Sequence, residues 1–125
     1  MLGKLDAGAT IPVRDLARAR QWYAEKLGFE PEMETADGVI YRSKNSTFTL
    51  YQSQYTGTAQ HTLMSWLADD VEREVRELRA RGIVFEEYDM LGLKTVNGIA
   101  TMGSERAAWF KDLDGNILAV SQMAK

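Results

Sequence analysis

One local pattern occurs twice in this chain, about 55 residues apart, and it limits the possible folds more than any other feature. In the first copy Ala9, Ile11 and Val13 alternate with Gly8, Thr10 and Pro12, the period-two signature of a half-buried strand. Asp15 follows as a helix N-cap, and Leu16, Ala19, Tyr23 and Leu27 then recur at helical spacing. Gly28 stands where a left-handed C-cap belongs, Phe29 reopens an extended run, and Pro31 bars further helix. In the second copy Leu63 to Leu67 read as a strand, and Asp69 and Asp70 offer the cap, with Glu72 spaced to close a capping box on Asp69. Val71, Val75 and Leu78 make the apolar stripe, Gly82 ends the helix, and Ile83, Val84 and Phe85 start a strand. Self-similarity at this period marks a supersecondary unit used twice.

The continuations also match. Val39 to Tyr41 and Thr47 to Tyr51 flank a turn at Ser43 to Ser46, while Ala107 to Lys111 and Ile117 to Gln122 flank Asp112 to Asn116. Asp114-Gly115 is a hairpin signal. Each half therefore reads β-α-β-β-β. The chain is expected to be one domain over residues 1–125, with a first unit over about 4–55 and a second over about 58–123. Residues 88–106, with Gly92, Gly98 and Gly103 and weak periodicity, read as a long loop, either a flap over a site or plain surface.

Composition narrows the function classes. At 125 residues and 45% hydrophobic content a real core needs no staples. The absence of Cys removes disulfides, thiolate metal sites and cysteine nucleophiles. Fifteen basic against eighteen acidic side chains argue against a nucleic-acid partner. No apolar stretch approaches the ~20 residues of a membrane span, so a cytoplasmic soluble protein with no membrane partner is expected. No Gly-rich phosphate loop follows a strand. Arg73, Arg76, Arg79 and Arg81, interleaved with Glu72, Glu74 and Glu77, read as a solvated helix face. Trp22, beside Tyr23, reads as core or dimer packing.

The order Val13-Arg14-Asp15-Leu16, Trp22-Tyr23, Leu27-Gly28-Phe29, closed by the stretch from Ala107 to Asn116, resembles the vicinal oxygen chelate superfamily. Its members include glyoxalase I, extradiol dioxygenases, fosfomycin-resistance thiol transferases and bleomycin-binding proteins. The resemblance spans nearly the whole chain. It implies an α+β fold of tandem βαβββ units, a curled mixed sheet forming a cup with helices outside, and a homodimer that pairs or swaps units.

Strand parity assigns the cup face under that implied fold. Thr10, Gly8 and Pro12, then Thr47, Thr49 and Tyr51, face inward from the first unit. His61, Leu63 and Ser65, then Trp109, Ile117, Ala119 and Ser121, face inward from the second. A one-residue slip inverts any such assignment. The resemblance puts metal ligands at Gly8, at His61, at Ala119 and at Thr49 or Tyr51. Gly and Ala carry no donor, so no metal and no cofactor is expected.

His61, the sole histidine, reads either as a general base or as a structural residue at a strand start. Trp109 and Tyr51 either stack on a flat ligand or plug the cavity. The reading reached is a metal-free protein binding a small, partly aromatic molecule, like the bleomycin-binding members. Its expected ligand contacts are Thr10, Thr47, Thr49, Tyr51, His61, Ser65, Trp109 and Ser121. One alternative is a glyoxalase-like enzyme, metal-free or using His61 with Glu86, Glu87 or Asp89. Another is an interaction module whose cup is closed.

Overall fold

In a computed structural model, which describes residues 1–123, the chain falls into two compact units, Met1–Gly57 and a second beginning at Thr58. After a 3-10 turn at Leu2–Lys4, the first unit runs β1 (Ala9–Val13), α1 (Leu16–Leu27), β2 (Met33–Glu34), β3 (Gly38–Ser43) and β4 (Ser46–Gln52). Its sheet has the order β1-β4-β3-β2, with β1 parallel to β4 and the other pairs antiparallel. Pro12 is tolerated because β1 lies at an end of this sheet and needs to pair on one side only. Asp15 caps α1 by accepting from Arg18 N at 3.2 Å, and Gly28 ends it at φ 78.

In β1 and β4 the buried parity is the one read from the sequence, and with Val39 and Tyr41 of β3 the residues Ile11, Val13, Phe48 and Leu50 pack beneath Ala19 and Tyr23 of α1. Tyr41 and Phe48 stack with centroids 5.0 Å apart, and Phe29 meets Phe48 edge-on at 5.1 Å. The hydroxyl of fully buried Tyr41 has no hydrogen-bond partner among the described residues. Burial pushes its pKa up to about 12, against a smaller downward pull from Arg20. The folded chain thus keeps a proton that the unfolded chain releases above its ordinary value of 10.0, so this contribution to stability is lost as pH climbs from 10 towards 12. Tyr41→Phe removes the unpaired hydroxyl. It is expected to raise stability by about 1 kcal/mol at pH 7 and to flatten the alkaline loss, read from thermal melts at neutral and alkaline pH.

The second unit comprises β5 (Thr62–Leu67), α2 (Val71–Ala80), β6 (Asp89–Met90), β7 (Leu93–Val96), β8 (Ile99–Met102), β9 (Glu105–Lys111) and β10 (Ile117–Met123). Its order, β5-β10-β9-β8-β7-β6, begins as the first sheet does, with a parallel pair and then antiparallel neighbours, and adds β7 and β6 beyond β8. Residues 88–106 are therefore hairpins rather than a long loop. Asn97 and Gly98, at φ 53 and 81, form the left-handed pair that joins β7 to β8.

Ile83 to Phe85 do not extend as a strand; only Phe85 bridges, to Phe110. The reason is occupancy: β8 already pairs with residues 105–107 of β9, leaving only its later residues free on that edge. The α2 cap is Asp70, which accepts from Arg73 N at 3.2 Å, so the capping box on Asp69 does not form and Glu72 instead takes a hydrogen bond from Arg106. Val71 and Val75 of α2 pack with Phe110, Leu118 and Val120 in the second core. No described helix is long and apolar enough to cross a membrane.

Candidate functional site

Each unit leaves one sheet face uncovered by its own helix, and the polar parity of the strands lines it. On the first, the register sets Thr10 beside Thr49 and Pro12 beside Tyr51, with Ile40 across from Thr49 on β3. Thr10 is exposed, Thr47 and Thr49 are half-buried, and Tyr51 is 39% exposed, so the face offers hydroxyls and one phenol. Gly8 sits just before β1, where an added Cβ would lie 3.0 Å from the Thr47 carbonyl oxygen. A coordinating side chain does not fit there without displacing backbone.

The second face turns on a β-bulge. Thr62 pairs with Ile117 but Met64 pairs with Leu118, so Leu63 is an extra residue on β5. Beyond it Ser65 lies beside Ala119 and Leu67 beside Ser121; before it the same row is continued by Thr62. The simple alternation of His61, Leu63 and Ser65 is thereby corrected at Leu63, because the bulge shifts the parity by one. Thr62 is the residue that alternation missed, since nothing in Thr62-Leu63-Met64 announces a bulge.

Two contacts show what shares this face. Ser65 and Ser121 have their hydroxyl oxygens 3.3 Å apart, and Trp109 Nε1 donates to Thr62 Oγ1 at 3.1 Å. The half-buried Trp109 ring also meets Tyr88 edge-on, centroids 5.6 Å apart at 78°. Tyr88 is in turn held by Thr95, which is 7% exposed: its N–H donates to the Tyr88 carbonyl at 2.9 Å, and its hydroxyl accepts from Tyr88 N at 2.8 Å. Burial, then the nearby Glu86 carboxylate, raise the Tyr88 hydroxyl above its usual pKa. Part of the segment read as a loop thus fixes the aromatic partner of Trp109. His61 precedes β5, is exposed, and has Nδ1 3.2 Å from the Thr62 carbonyl oxygen.

The donor set fits a divalent cation poorly. Gly8 and Ala119 lack donor atoms, and among the described residues no three His, Asp or Glu side chains are grouped to hold a metal. Glu86 lies 3.8 Å from Lys111 in an ion pair, which further commits one of the acids considered as an unusual ligand.

Comparison with known proteins bears on the fold. No curated protein matches the sequence. Among solved structures, UcmS2 superposes with a TM-score of 0.73 at 18% identity, covering 94% of this chain and 96% of that one. TnmS3, an antibiotic binding protein from Streptomyces sp. CB03234, gives 0.69 at 21% identity, covering 96% of each chain. A lactoylglutathione lyase from Agrobacterium tumefaciens gives 0.66 at 18%, covering 94% of this chain and 92% of that one. These similarities establish a shared α+β architecture. The family model described as Glyoxalase/Bleomycin resistance protein/Dioxygenase superfamily matches residues 7–120, nearly the whole length, and the chain belongs to that superfamily.

Proposed function

We propose that this chain binds a small, partly aromatic molecule on its helix-free sheet faces without a bound metal, in the manner of bleomycin-resistance members. The fold serves both binders and enzymes, since its structural neighbours include a protein named as antibiotic-binding and one named as a lyase. The single observation that carries the binding reading is the held indole. Trp109 is tied through Nε1 to Thr62 and braced by Tyr88, yet stays only half-buried, on the sheet face that also carries the Ser65 and Ser121 hydroxyls. A ring fixed in this way loses little freedom when a planar ligand stacks on it, and the hydroxyls supply directional contacts. The row of Thr10, Thr47, Thr49 and Tyr51 on the first unit is a second surface of the same chemistry, and on the second unit exposed His61, just before β5, offers a hydrogen bond. Gly8 and Ala119 at two expected ligand positions support the metal-free reading.

The test is a titration of tryptophan fluorescence with a panel of planar aromatic ligands. Saturable quenching is expected, weakened about tenfold in Trp109→Ala and hardly altered in His61→Ala. A panel with no response, or Trp109→Ala binding as wild type does, would overturn the reading. Turnover of a ligand that His61→Ala abolishes would favour a glyoxalase-like enzyme instead. A homodimer in the cytoplasm accompanies this proposal, and light scattering on the purified chain checks for twice 14.1 kDa.

A further inference from the structure

Away from those faces, the second unit contains a groove of about 570 Å³ between α2 and the β7–β8 hairpin. Its charge is one-sided: Arg76, Arg79, Lys94 and Arg106 line it against the single carboxylate of Glu72. The whole chain carries a net charge of -3, so this concentration of cations runs against the average. A cleft of one sign focuses field and raises the local concentration of counter-ions.

Two of the four cations are already committed. Arg106 Nη2 donates to Glu72 Oε1 at 2.7 Å, and Arg79 Nη2 donates to the Asn97 carbonyl at 2.8 Å while its guanidinium lies 5.5 Å from the centre of the Phe85 ring. Arg79 thereby fastens the hairpin turn to the helix. At Gly98 an added Cβ would stand 2.9 Å from Arg79 Nη2 and 3.0 Å from Phe85 Cβ, which shows how closely the turn is seated. The other two cations make no ion pair among the described residues. Arg76 projects from α2 and Lys94 from β7; Asp89 lies across the strand pair from Lys94 but forms no salt bridge with it. A committed wall with one uncommitted cation on the helix and one on the hairpin can hold an anion at two points.

We propose that this groove binds a small molecule bearing two or more oxyanion groups, carboxylates or phosphates. The volume lies within the roughly 300–1,000 Å³ of small-molecule sites. The guanidinium fork of Arg76 suits a planar or tetrahedral oxyanion, and Lys94 acts as a point charge on the second group. Thr101, which also lines the groove, adds a hydroxyl. The wall carrying Lys94 and Asn97 comes from the β7 extension, which the first unit lacks, so the second unit has a surface that its counterpart cannot have. The helix face read from sequence as merely solvated is, at Arg76 and Arg79, one side of this groove.

The test is calorimetric titration of the full chain with inorganic pyrophosphate, citrate and acetate in buffer of about 20 mM ionic strength, where screening is weak. Pyrophosphate or citrate is expected to bind at one site per chain, at least about tenfold more tightly than acetate. Preference between the first two distinguishes phosphate from carboxylate chemistry. The double variant Arg76→Gln, Lys94→Gln should lose about tenfold or more in affinity with its melting temperature unchanged. Arg73→Gln, which is not part of the groove, should bind as wild type does and so excludes a general charge effect. Equal binding by the double variant, or no binding of either polyanion, would overturn the proposal. Trp109→Ala should leave pyrophosphate binding intact, so failure here and failure of the sheet-face reading are separable.

Discussion

Phe110→Ala is expected to lower the unfolding free energy by roughly 3–5 kcal/mol, a large share of the roughly 5–15 kcal/mol that holds a domain together. Phe110 is fully buried in β9, where it pairs with Leu118 of β10 and forms the bridge to Phe85. Its ring stacks with Trp66 at 6.4 Å and 9°, and takes the edge of Phe85 at 5.6 Å and 71°. Truncation therefore opens a cavity between a sheet and a helix that no neighbour can fill without moving backbone. It also removes the packing that seats Phe85, and through Phe85 the guanidinium of Arg79. Urea unfolding of wild type and variant checks the magnitude. Phe110→Leu, which keeps most of the volume, should cost much less, and a loss below about 1 kcal/mol in Phe110→Ala would mean that this ring is not central.

The second large effect is expected at Asp112, whose side chain organises the connection from β9 to β10. Asp112 is 6% and Asn116 2% exposed. Asp112 Oδ1 accepts from the backbone N–H of Asp114 at 2.9 Å and of Asn116 at 3.0 Å, and Oδ2 accepts from Asn116 Nδ2 at 2.9 Å. The backbone closes the same loop, Asp112 N donating to the Asn116 carbonyl at 2.9 Å, with Gly115 at φ 88 making the reversal. Asp112→Ala strips the acceptor from several donors in a buried setting, and a loss of about 3 kcal/mol is expected. Asp112→Asn is a sharper test, because it turns an amide towards the amide of Asn116. The exchange Asp112→Asn with Asn116→Asp restores a donor to an acceptor and should recover part of the loss, read as a coupling energy in a double-mutant cycle. Equal destabilisation by the single and exchanged variants would show that the loop needs the carboxylate at position 112 itself and not an exchangeable side-chain pair.

The legibility of the chain differed by kind of signal. Strand parity in the first unit was written in the alternation of Ile11, Val13, Phe48 and Leu50 with threonines, because one face is buried and a slip would expose every apolar side chain. Both helices were readable from their Asp caps, apolar spacing and following glycines. The β7–β8 hairpin was read as part of a long loop: Asn97-Gly98 is a hairpin signal, but the short strands on either side show little alternation to support it. The bulge at Leu63 had no such mark. It arises from how β5 settles against β10, and it puts Thr62 in the row where its Oγ1 accepts from Trp109 Nε1.

Duplicated order and capping residues were enough by themselves to specify two βαβββ-type units, since those features act over a few residues and survive whatever the rest of the chain does. Tertiary structure decided which side chains meet: the Trp109–Thr62 and Tyr88–Thr95 contacts, the Asp112–Asn116 lock, and the cationic groove that Arg79 closes by gripping Asn97. Those pairings join residues whose separation along the chain carries no period. Strand register, the single residue inserted at the bulge, the tight β9–β10 loop and the packing of α2 on the β7–β8 turn bring them within reach.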